Sequence, residues 1–595
     1  MNHRARPFLA LAAIVAVIVG ACSTAATPAP TAAPATAAPA TAAPATPAPA
    51  TAAPATPAPT PVPTPASGGT LSLHLYQQYT SFYPWSESGT GGDSLVMELQ
   101  WDFLAAYDEK GEAEMRLAES ITASPDAKTW TVKLKPGLTW SDGTPLTSKD
   151  VLFSWRENAN PNHSYNSGLW ANVVGNAEWI KAADFSKDMA GITAPDDSTV
   201  VFQLIEPNAA FVATLLNFRN YILPSASILA DVPNIATLSQ KDVWALPYWQ
   251  SPKVGVGPYL WDKTETAQFI SFHKNPTWRG NPQAFDGVIV KPNNDTAVAA
   301  AQLQSGDLDL AVVTLDDLDG LAAAGLQTGT ELTPFPIQSD MNNSKASRFA
   351  DVKVRQAFMY GCDRQGFVDS FLKGKGAKWD SYFFPSWVPK DGITVYDFNL
   401  DKAKALLDEA KFDYSKPVVW LSWNKDARDR QSFLEDCQAQ MKKIGVDIQI
   451  VNGLDVTNDL GKKGQWDLQL YGGYPIADPD QIRQFTACSA IGKTAGANSK
   501  DWPDGSAYMS GGANAVNWCN PTFDDLMNQA SKIADQAQRA DLYKQAQDIW
   551  LAEVPMMLNY RKATAYAWNG KLQGVVVYGD PSQLFLKIDQ WSMSQ

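Results

Sequence analysis

Residues 431–450, QSFLEDCQAQMKKIGVDIQI, decide the fold class of the chain. Apolar side chains recur at helical spacing over residues 431–444, and Gly445 follows them directly. Glycine commonly ends a helix, because it adopts a left-handed backbone conformation without strain. Residues 446–450 then alternate apolar and polar side chains, as a β-strand does. A helix that passes through glycine into a strand is typical of α/β proteins, and we predict this fold class.

Other segments agree with a mixed fold. Alternating side chains predict further strands, and helical spacing predicts a helix at residues 401–410. We expect the first strand, at residues 70–75, to enter its sheet at an edge. The remaining predicted strands are residues 128–134, 199–204 and 466–471.

The N-terminus has the features of an export signal. Two arginines precede the apolar run of residues 8–19, which is short for a membrane span and has the length of a signal-peptide core. The run ends in a sequence that resembles a bacterial lipobox. We therefore predict that residues 1–21 are a lipoprotein signal peptide and that Cys22 becomes the acylated first residue. An ordinary signal peptide cleaved close to this point is the alternative.

Residues 22–67 are predicted to form a disordered linker. They are almost wholly alanine, proline and threonine, and they carry no charge. Such a tract cannot bury enough apolar area to offset its chain entropy, and it favours extended polyproline II, at roughly 3.1 Å per residue. The tract would hold a folded body away from the membrane; low-complexity filler is the other interpretation.

Composition and charge exclude several classes of function. The 595 residues, 45% of them hydrophobic, suffice for a large core and more than one lobe. Lys and Arg number 48 against 62 Asp and Glu, and the sequence has no basic stripe, so we expect no nucleic-acid partner. Four histidines without an HExxH pattern disfavour a histidine-ligated zinc site.

Motifs for catalysis are also missing from the sequence. It contains no dinucleotide-binding loop, P-loop or nucleophile elbow, so we expect no cofactor and no enzymatic activity. A hydrolase with paired carboxylates stays an alternative, because two acidic side chains can meet from anywhere in a chain.

A series of motifs resembles one protein family. Residues 137–155, GLTWSDGTPLTSKDVLFSW, combine a strand end, an Asp-Gly turn and a helix that Thr147 or Ser148 would cap, with Asp150 near its positive end. This stretch is similar to the signature of the family 5 extracellular solute-binding proteins, the dipeptide, oligopeptide and nickel binders of ABC importers. Further matches follow in order at residues 255–259 (GVGPY), 275–278 (NPTW), 300–309 (AAQLQSGDLD), 353–358 (KVRQAF), 362–364 (CDR), 401–407 (DKAKALL) and 442–446 (KKIGV).

This resemblance implies a two-lobe periplasmic-binding-protein-like fold, of class II and of the large cluster with an extra subdomain. It places the first lobe at residues 69–292, with the inserted subdomain at roughly 101–220. The second lobe would cover residues 293–555, and the chain would return to the first lobe at 556–595. Two crossovers would join the lobes, and closure over a ligand would be the signal to a permease.

The implied function is that of a substrate-binding component of an ABC importer, which captures a peptide-like solute and delivers it to permease subunits. We expect a monomer, held by its lipid anchor at the outer face of the cytoplasmic membrane. Some members of the family bind cello- or xylo-oligosaccharides, so an oligosaccharide ligand is the alternative, and a tethered extracellular hydrolase is a more distant one. Few histidines disfavour a nickel chelate.

Four cysteines lie in the globular part. Similar paired cysteines in dipeptide-binding relatives imply a disulfide between Cys488 and Cys519. Cys362 and Cys437 fall within helical patterns, and we expect them to be buried free thiols.

Residues 470–485, LYGGYPIADPDQIRQF, are expected at the ligand cleft. In peptide-binding relatives an aromatic residue at this strand end lines the site, and an aspartate a few residues later holds the α-ammonium of the peptide. Tyr471 matches the aromatic position, but the aspartate position falls on or beside Tyr474. Asp478 either takes the role of the aspartate or caps the following helix.

Other aromatic residues are candidates for the cleft walls, because flat rings stack on sugars and on apolar side chains. Core packing is the alternative for each, and as a set they favour the oligosaccharide alternative. The candidates are Tyr79, Trp85, Trp379 and Trp423, with Asn424 beside the last. Three tryptophans of the family motifs, Trp140, Trp155 and Trp278, are expected in the core.

Overall fold

The computed structural model describes residues 68–86, 91–108, 112–164, 167–215, 220–422, 427–453, 465–473, 478–491, 514 and 516–594. The predicted signal peptide, Cys22 and the linker lie outside the described residues. Among the helices of the described residues, none is long and apolar enough to cross a lipid bilayer.

Twenty-two strands occur in the described part of the chain. They are β1 (Thr70–Leu75), β2 (Asp102–Phe103), β3 (Ala105–Tyr107), β4 (Ala113–Met115), β5 (Ala118–Ala123), β6 (Thr129–Leu134), β7 (Ile192–Asp196), β8 (Thr199–Gln203), β9 (Tyr221–Ile222), β10 (Tyr259–Glu265), β11 (Phe269–Lys274), β12 (Gly287–Pro292), β13 (Leu310–Val313), β14 (Gln327–Leu332), β15 (Ile337–Met341), β16 (Gly376–Lys378), β17 (Val418–Ser422), β18 (Ile448–Asn452), β19 (Leu468–Gly472), β20 (Met556–Trp568), β21 (Leu572–Gln573) and β22 (Ser592–Met593).

The same residues contain fifteen α-helices. They are α1 (Gly91–Gln100), α2 (Ser148–Ala159), α3 (Asn176–Ala182), α4 (Phe211–Leu215), α5 (Ser225–Asp231), α6 (Gln240–Trp244), α7 (Thr296–Ser305), α8 (Leu318–Ala323), α9 (Val352–Gly361), α10 (Arg364–Ser370), α11 (Leu400–Glu409), α12 (Arg428–Lys442), α13 (Arg483–Thr486), α14 (Pro521–Ala530) and α15 (Gln536–Glu553). Short 3₁₀ helices lie between them, of which Pro479–Ile482 matters for the site.

The α/β unit predicted at residues 431–450 is confirmed. α12 ends just before Gly445, whose φ of 87° is the left-handed conformation that favours glycine. β18 follows and pairs in parallel with β17, which the chain enters before the helix. A β-α-β crossover between parallel strands is the repeating unit of α/β folds.

One long strand, β20, ties the main sheet together. The sheet has the order β10-β11-β12-β1-β13-β20-β15-β19-β17-β18, and β14 and β16 also pair with β20. Residues 556–560 of β20 pair with β15, whereas residues 565–568 pair with β13. A single strand therefore takes part in both halves of the sheet.

The expected edge position of β1 is wrong. β1 lies inside the sheet, parallel to both β12 and β13. Of its polar residues, His74 is buried and Ser72 is half-buried, and both are hydrogen-bonded: the Ser72 amide donates to Asp309 Oδ2 at 2.9 Å, and His74 Nε2 lies 2.7 Å from Asn293 O. The alternating pattern favoured an edge strand, because the sequence does not show these hydrogen-bond partners.

Two large hydrophobic clusters divide the molecule. One contains β1, β10 to β12 and the four-stranded antiparallel sheet β5-β6-β8-β7, and the other contains β15, β17, β19 and helices α9 to α15. We call residues 68–332 and 563–594 the first lobe and residues 333–562 the second lobe. The predicted boundary at residue 293 differs from this packing, because β13 and β14 pair with the first-lobe end of β20.

The two crossovers between the lobes lie side by side. The Thr333 amide donates to Lys562 O at 2.9 Å, and Arg561 Nε donates to Thr333 O at 2.9 Å. Each lobe has its own core, so these neighbouring segments are where a hinge would bend.

Two disulfides occur among the described cysteines. Cys488 and Cys519 are bonded, with their Cα atoms 4.6 Å apart, which is the pairing that the family resemblance implies. Cys362 and Cys437 are bonded as well, with Cα atoms 4.8 Å apart, so the expectation of free thiols is wrong. Their helical patterns place each thiol on a buried face, but they do not reveal that the end of α9 packs on α12.

Candidate ligand-binding cleft

Three parallel strands of the second lobe end at the same edge. Ser422 at the end of β17 is in register with Asn452 of β18 and with Leu470 of β19. In α/β sheets, ligands bind outside the carboxyl ends of such strands. This edge is therefore the expected floor of the cleft in the second lobe.

The predicted site residues follow these strand ends in the sequence. Trp423 and Asn424 come directly after β17, and Tyr474 comes two residues after β19; all three lie outside the described residues. The backbone of Tyr471 pairs with Gln338 of β15. The strand ends that precede these candidates lie at one edge, and the ligand-binding roles of the candidates stay predictions.

The first turn of α12 adds charged groups that the sequence interpretation missed. The Tyr560 hydroxyl donates to Asp429 Oδ2 at 3.0 Å, and Lys562 Nζ lies 3.5 Å from the same atom. Arg430 Nη2 is 2.9 Å from the point where a β-carbon on Gly472 would stand, so it reaches the end of β19. Burial raises the pKa of Tyr560, and the charge of Asp429 raises it further.

A sequence signal for these groups existed. Residues 428–430 read RDR at the start of a helix. Cations are unfavourable there because the helix dipole is positive at its N-terminus. Two arginines in the first turn of a helix, shortly after a strand end, therefore indicate that they serve a purpose other than helix stability, such as pairing with an anionic group.

Asp478 is engaged within the second lobe. It caps the 3₁₀ helix Pro479–Ile482, accepting from the Asp480 amide at 3.0 Å. Arg539 Nη2 donates to both of its carboxylate oxygens, at 2.6 and 2.8 Å. These contacts support the capping alternative, and a role in binding a ligand ammonium stays a prediction.

Three of the aromatic candidates lie in the cores. Tyr79 donates from its hydroxyl to Trp249 O at 3.1 Å, and Trp85 packs edge-on against Tyr83. Trp379 donates from Nε1 to Ser381 O at 2.6 Å and stacks on Phe384. All three candidates are less than a tenth exposed, so their contacts are those of core residues.

A groove of about 640 Å³ lies between the lobes. Asn172, Glu206, Pro207 and Asn208 line it from the first lobe; Asp480, Arg483, Asp525, Asn528, Gln529, Ser531 and Lys532 line it from the second. The Ala209 amide donates to Ser531 O at 2.8 Å and closes one end. Tyr107 of the first lobe lies close enough to Asp478 to be affected by its charge: burial raises the pKa of Tyr107, and the charge of Asp478 raises it further.

The charges along this groove are partly compensated. Arg483 pairs with Asp480 at 3.2 Å and donates to Asn528 Oδ1 at 2.6 Å. The carboxylate of Glu206 and the ammonium of Lys532 have no ion-pair partner among the described residues. The groove therefore presents the unpaired carboxylate of Glu206 on the first lobe, and the unpaired ammonium of Lys532 beside the exposed carboxylate of Asp525 on the second.

Metal binding finds no support in the described residues. They contain no group of three or more His, Cys, Asp or Glu side chains that could hold a metal ion.

Comparisons with known proteins agree with this geometry. Residues 112–492 match the family model of the bacterial extracellular solute-binding proteins, family 5 Middle. The oligopeptide-binding protein AppA of Bacillus subtilis is 25% identical over 563 residues, which are 89% of this chain and 93% of AppA. A Brucella ovis relative, provisionally named as an ABC transporter peptide-binding protein, is 28% identical over 365 residues, or 61% of this chain and 64% of that protein's length.

Solved structures show the same fold. The ABC transporter substrate-binding protein CtaP of Listeria monocytogenes has a TM-score of 0.71 at 22% identity, with 89% of this chain and 100% of CtaP covered. AppA of B. subtilis, in complex with a nonapeptide, has a TM-score of 0.65 at 23% identity, with 89% and 100% covered. The predicted two-lobe α/β fold is confirmed, and the chain belongs to the bacterial extracellular solute-binding proteins of family 5.

Proposed function

We propose that the protein is the substrate-binding component of an ABC importer, which captures a peptide-like solute by closing its lobes and presents it to permease subunits. The observation that carries this proposal is the construction of the cleft. Two lobes with separate cores meet at a charged groove, and only β20 and the neighbouring segment at Thr333 join them among the described residues. Closure would then depend on the differential affinity of the closed state for the solute.

The charge pattern of the groove supports a peptide over a sugar. A peptide has an ammonium and a carboxylate, and Glu206 and Lys532 offer the opposite charges from facing lobes. An oligosaccharide would instead need exposed aromatic platforms, and the three described aromatic candidates are engaged in the cores. The name of AppA, whose solved structure holds a nonapeptide, agrees with this choice.

The proposal includes the location of the protein. Export and acylation at Cys22 would anchor a monomer to the outer face of the membrane, and residues 22–67 would tether it there. The mass of the mature protein tests the anchor: a diacylated chain that begins at Cys22 is expected, and an unmodified N-terminus at another residue would contradict it.

Calorimetry and thermal denaturation with a matched ligand set test the solute class. We expect tetrapeptides with free termini to stabilise the protein saturably, by about 2.7 kcal/mol at a hundred times Kd. Cello-, xylo- and manno-oligosaccharides are expected to give no shift. Sugars that stabilise where peptides do not would establish the oligosaccharide alternative, and cleavage products in the mass spectrum would establish the hydrolase.

Glu206→Gln tests the groove itself. The variant should weaken binding of free-amine peptides about tenfold, because a charge-assisted hydrogen bond contributes about 1.5–3 kcal/mol. N-acetylated peptides should bind the variant and the parent equally. Glu178→Gln is the control, since Glu178 is exposed on α3 of the same lobe and away from the groove. Equal binding of free-amine peptides by Glu206→Gln and the parent would place the ammonium elsewhere.

A further inference from the structure

The first lobe contains a second cavity, of about 350 Å³, away from the cleft. Part of its wall is the loop 275–286, which leads from the end of β11 to the start of β12. β12 runs parallel to β1, so this loop lies at the amino ends of these strands. The carboxyl ends, where the ligand cleft is expected, are at the opposite edge. The cavity is therefore a separate place in the fold.

A buried aspartate organises the cavity. Asp102 is fully buried, and it accepts from Arg116 Nε and from Arg279 Nη2. Burial alone would raise the pKa of Asp102, but the two guanidinium groups outweigh burial and hold this pKa below its ordinary value. Two arginines are thus fixed around one carboxylate.

The arginines keep donors for another group. Arg116 also donates from Nη1 to Leu586 O at 3.2 Å, and Arg279 donates from Nη1 to Val256 O at 3.2 Å. No contact within the described residues engages Arg116 Nη2 or Arg279 Nε. Guanidinium groups present such N–H pairs in a planar fork that matches phosphate and carboxylate oxygens.

A third cation lines the same cavity. Lys135 Nζ donates only to the Met115 carbonyl among the described residues, at 3.1 Å. Burial lowers the pKa of Lys135, and the nearby charge of Arg279 lowers it further. The three cations repel one another, and the carboxylate of Asp102 compensates only one of their charges.

The other acidic groups of the wall are already partnered. Glu114 pairs with Lys587 at 3.5 Å. Asp589 Oδ2 accepts from the Asn281 amide at 2.8 Å and from Trp278 Nε1 at 3.2 Å. Trp278, which the sequence predicted in the core, is half-buried and lines this cavity. Four cations (Arg116, Arg279, Lys135 and Lys587) thus stand against three carboxylates (Asp102, Glu114 and Asp589), which leaves a local surplus of about one positive charge in a protein whose net charge is −14.

We propose that this cavity binds a phosphomonoester or inorganic phosphate between Arg116, Arg279 and Lys135. Such an anion carries about −1.5 to −2 charges at neutral pH and several acceptor oxygens, so the surplus positive charge attracts it and the free donors fit its oxygens. The volume exceeds that of phosphate alone, and Leu138 and Trp278 provide apolar wall for an organic part. The same phosphomonoester chemistry is offered by a free solute and by the headgroup of phosphatidic acid.

Calorimetry with glycerol 3-phosphate and with inorganic phosphate tests the proposal on the full chain. Both should bind, and glycerol should not. Lys135→Met should weaken binding about tenfold to a hundredfold, because it removes a charge-assisted contact and leaves the Asp102 pairs intact. Lys135→Arg should retain most of the affinity. Lys149→Met is the control, since Lys149 is exposed in the same lobe, and it should bind as the parent does.

Flotation with vesicles distinguishes the two sources of the anion. Capture by vesicles that contain phosphatidic acid but not by phosphatidylcholine vesicles, lost in Lys135→Met, would assign a lipid headgroup; binding of the soluble anions alone would assign a free solute. No binding of either, or binding that Lys135→Met leaves unchanged, would overturn the proposal. The cleft is not involved, so Lys135→Met should bind its cleft ligand normally.

Discussion

The two lobes treat their buried aspartates differently. In the first lobe, Asp102 is held by two arginines beside a cavity. In the second lobe, Asp478 has one arginine, Arg539, which also hydrogen-bonds the hydroxyl of Tyr543 at 2.7 Å and lies over the ring of Trp387. Asp340, also in the second lobe, accepts only from the side-chain amide of Gln338 in the described part of the chain, at 2.8 Å.

The number of cations around each carboxylate separates three outcomes. With none, a buried carboxyl group favours its neutral form, because desolvation penalises the charge. With one arginine beside the carboxylate, the two charges cancel and the pair has a structural role. With two arginines, one positive charge is not compensated and can attract an anionic ligand. The following predictions test this ordering through stability.

Arg539→Met should have the largest effect. It leaves Asp478 buried without a counter-charge, and breaking a buried pair in this way costs about 3–5 kcal/mol. The shift in the urea-unfolding midpoint measures the loss. Lys544→Met, in the same helix, removes only an exposed pair with Asp548 and should cost under about 0.5 kcal/mol. Equal shifts in the two variants would show that Asp478 is not held by Arg539.

Asp340 should make stability depend on pH. Burial raises its pKa to about 7, from an ordinary 3.8. The unfolded chain then loses this proton at lower pH than the folded one. The contribution of Asp340 to the free energy of unfolding is therefore fully present below about pH 4, and it falls by up to about 4 kcal/mol as the pH rises to about 7. Asp340→Asn should flatten the profile in this window when unfolding is followed from pH 4 to 8. A parent profile with the same slope as the variant would contradict the assignment.

Much of the fold was predictable, because it rests on local patterns. The α12–β18 unit follows from periodicity and Gly445, and Thr147 caps α2 as expected, accepting from the Lys149 amide at 3.3 Å. What failed depended on distant partners. The edge position of β1 and the free thiols of Cys362 and Cys437 were wrong, because sequence patterns show which face is buried but not what covers it.

The candidate sites show the same contrast between local patterns, which the sequence reveals, and distant partners, which it does not. The strand end before Tyr474 could be located from sequence, since residues 466–471 follow a strand pattern, whereas the strand before Trp423 was not predicted. The capping of Asp478 was one of two open alternatives, and its pairing with Arg539, 61 residues away, was invisible. The cavity around Asp102 gave no sequence signal, because Arg116, Lys135 and Arg279 come from separate elements of the fold.

Arg483→Met should have the smallest effect among these arginine and aspartate variants. Arg483 pairs with Asp480 three residues away in sequence, and its side chain is 33% exposed, against 5% for Arg539. Water can replace part of the lost contact, so the cost should be about 1 kcal/mol, including the hydrogen bond to Asn528. Because burial already raises the pKa of Asp480, removal of Arg483 should raise it further. The loss should therefore grow as pH rises, because a protonated Asp480 needs no counter-charge and an ionised one does. A loss as large as that of Arg539→Met would mean that sequence-local pairs and buried long-range pairs contribute alike.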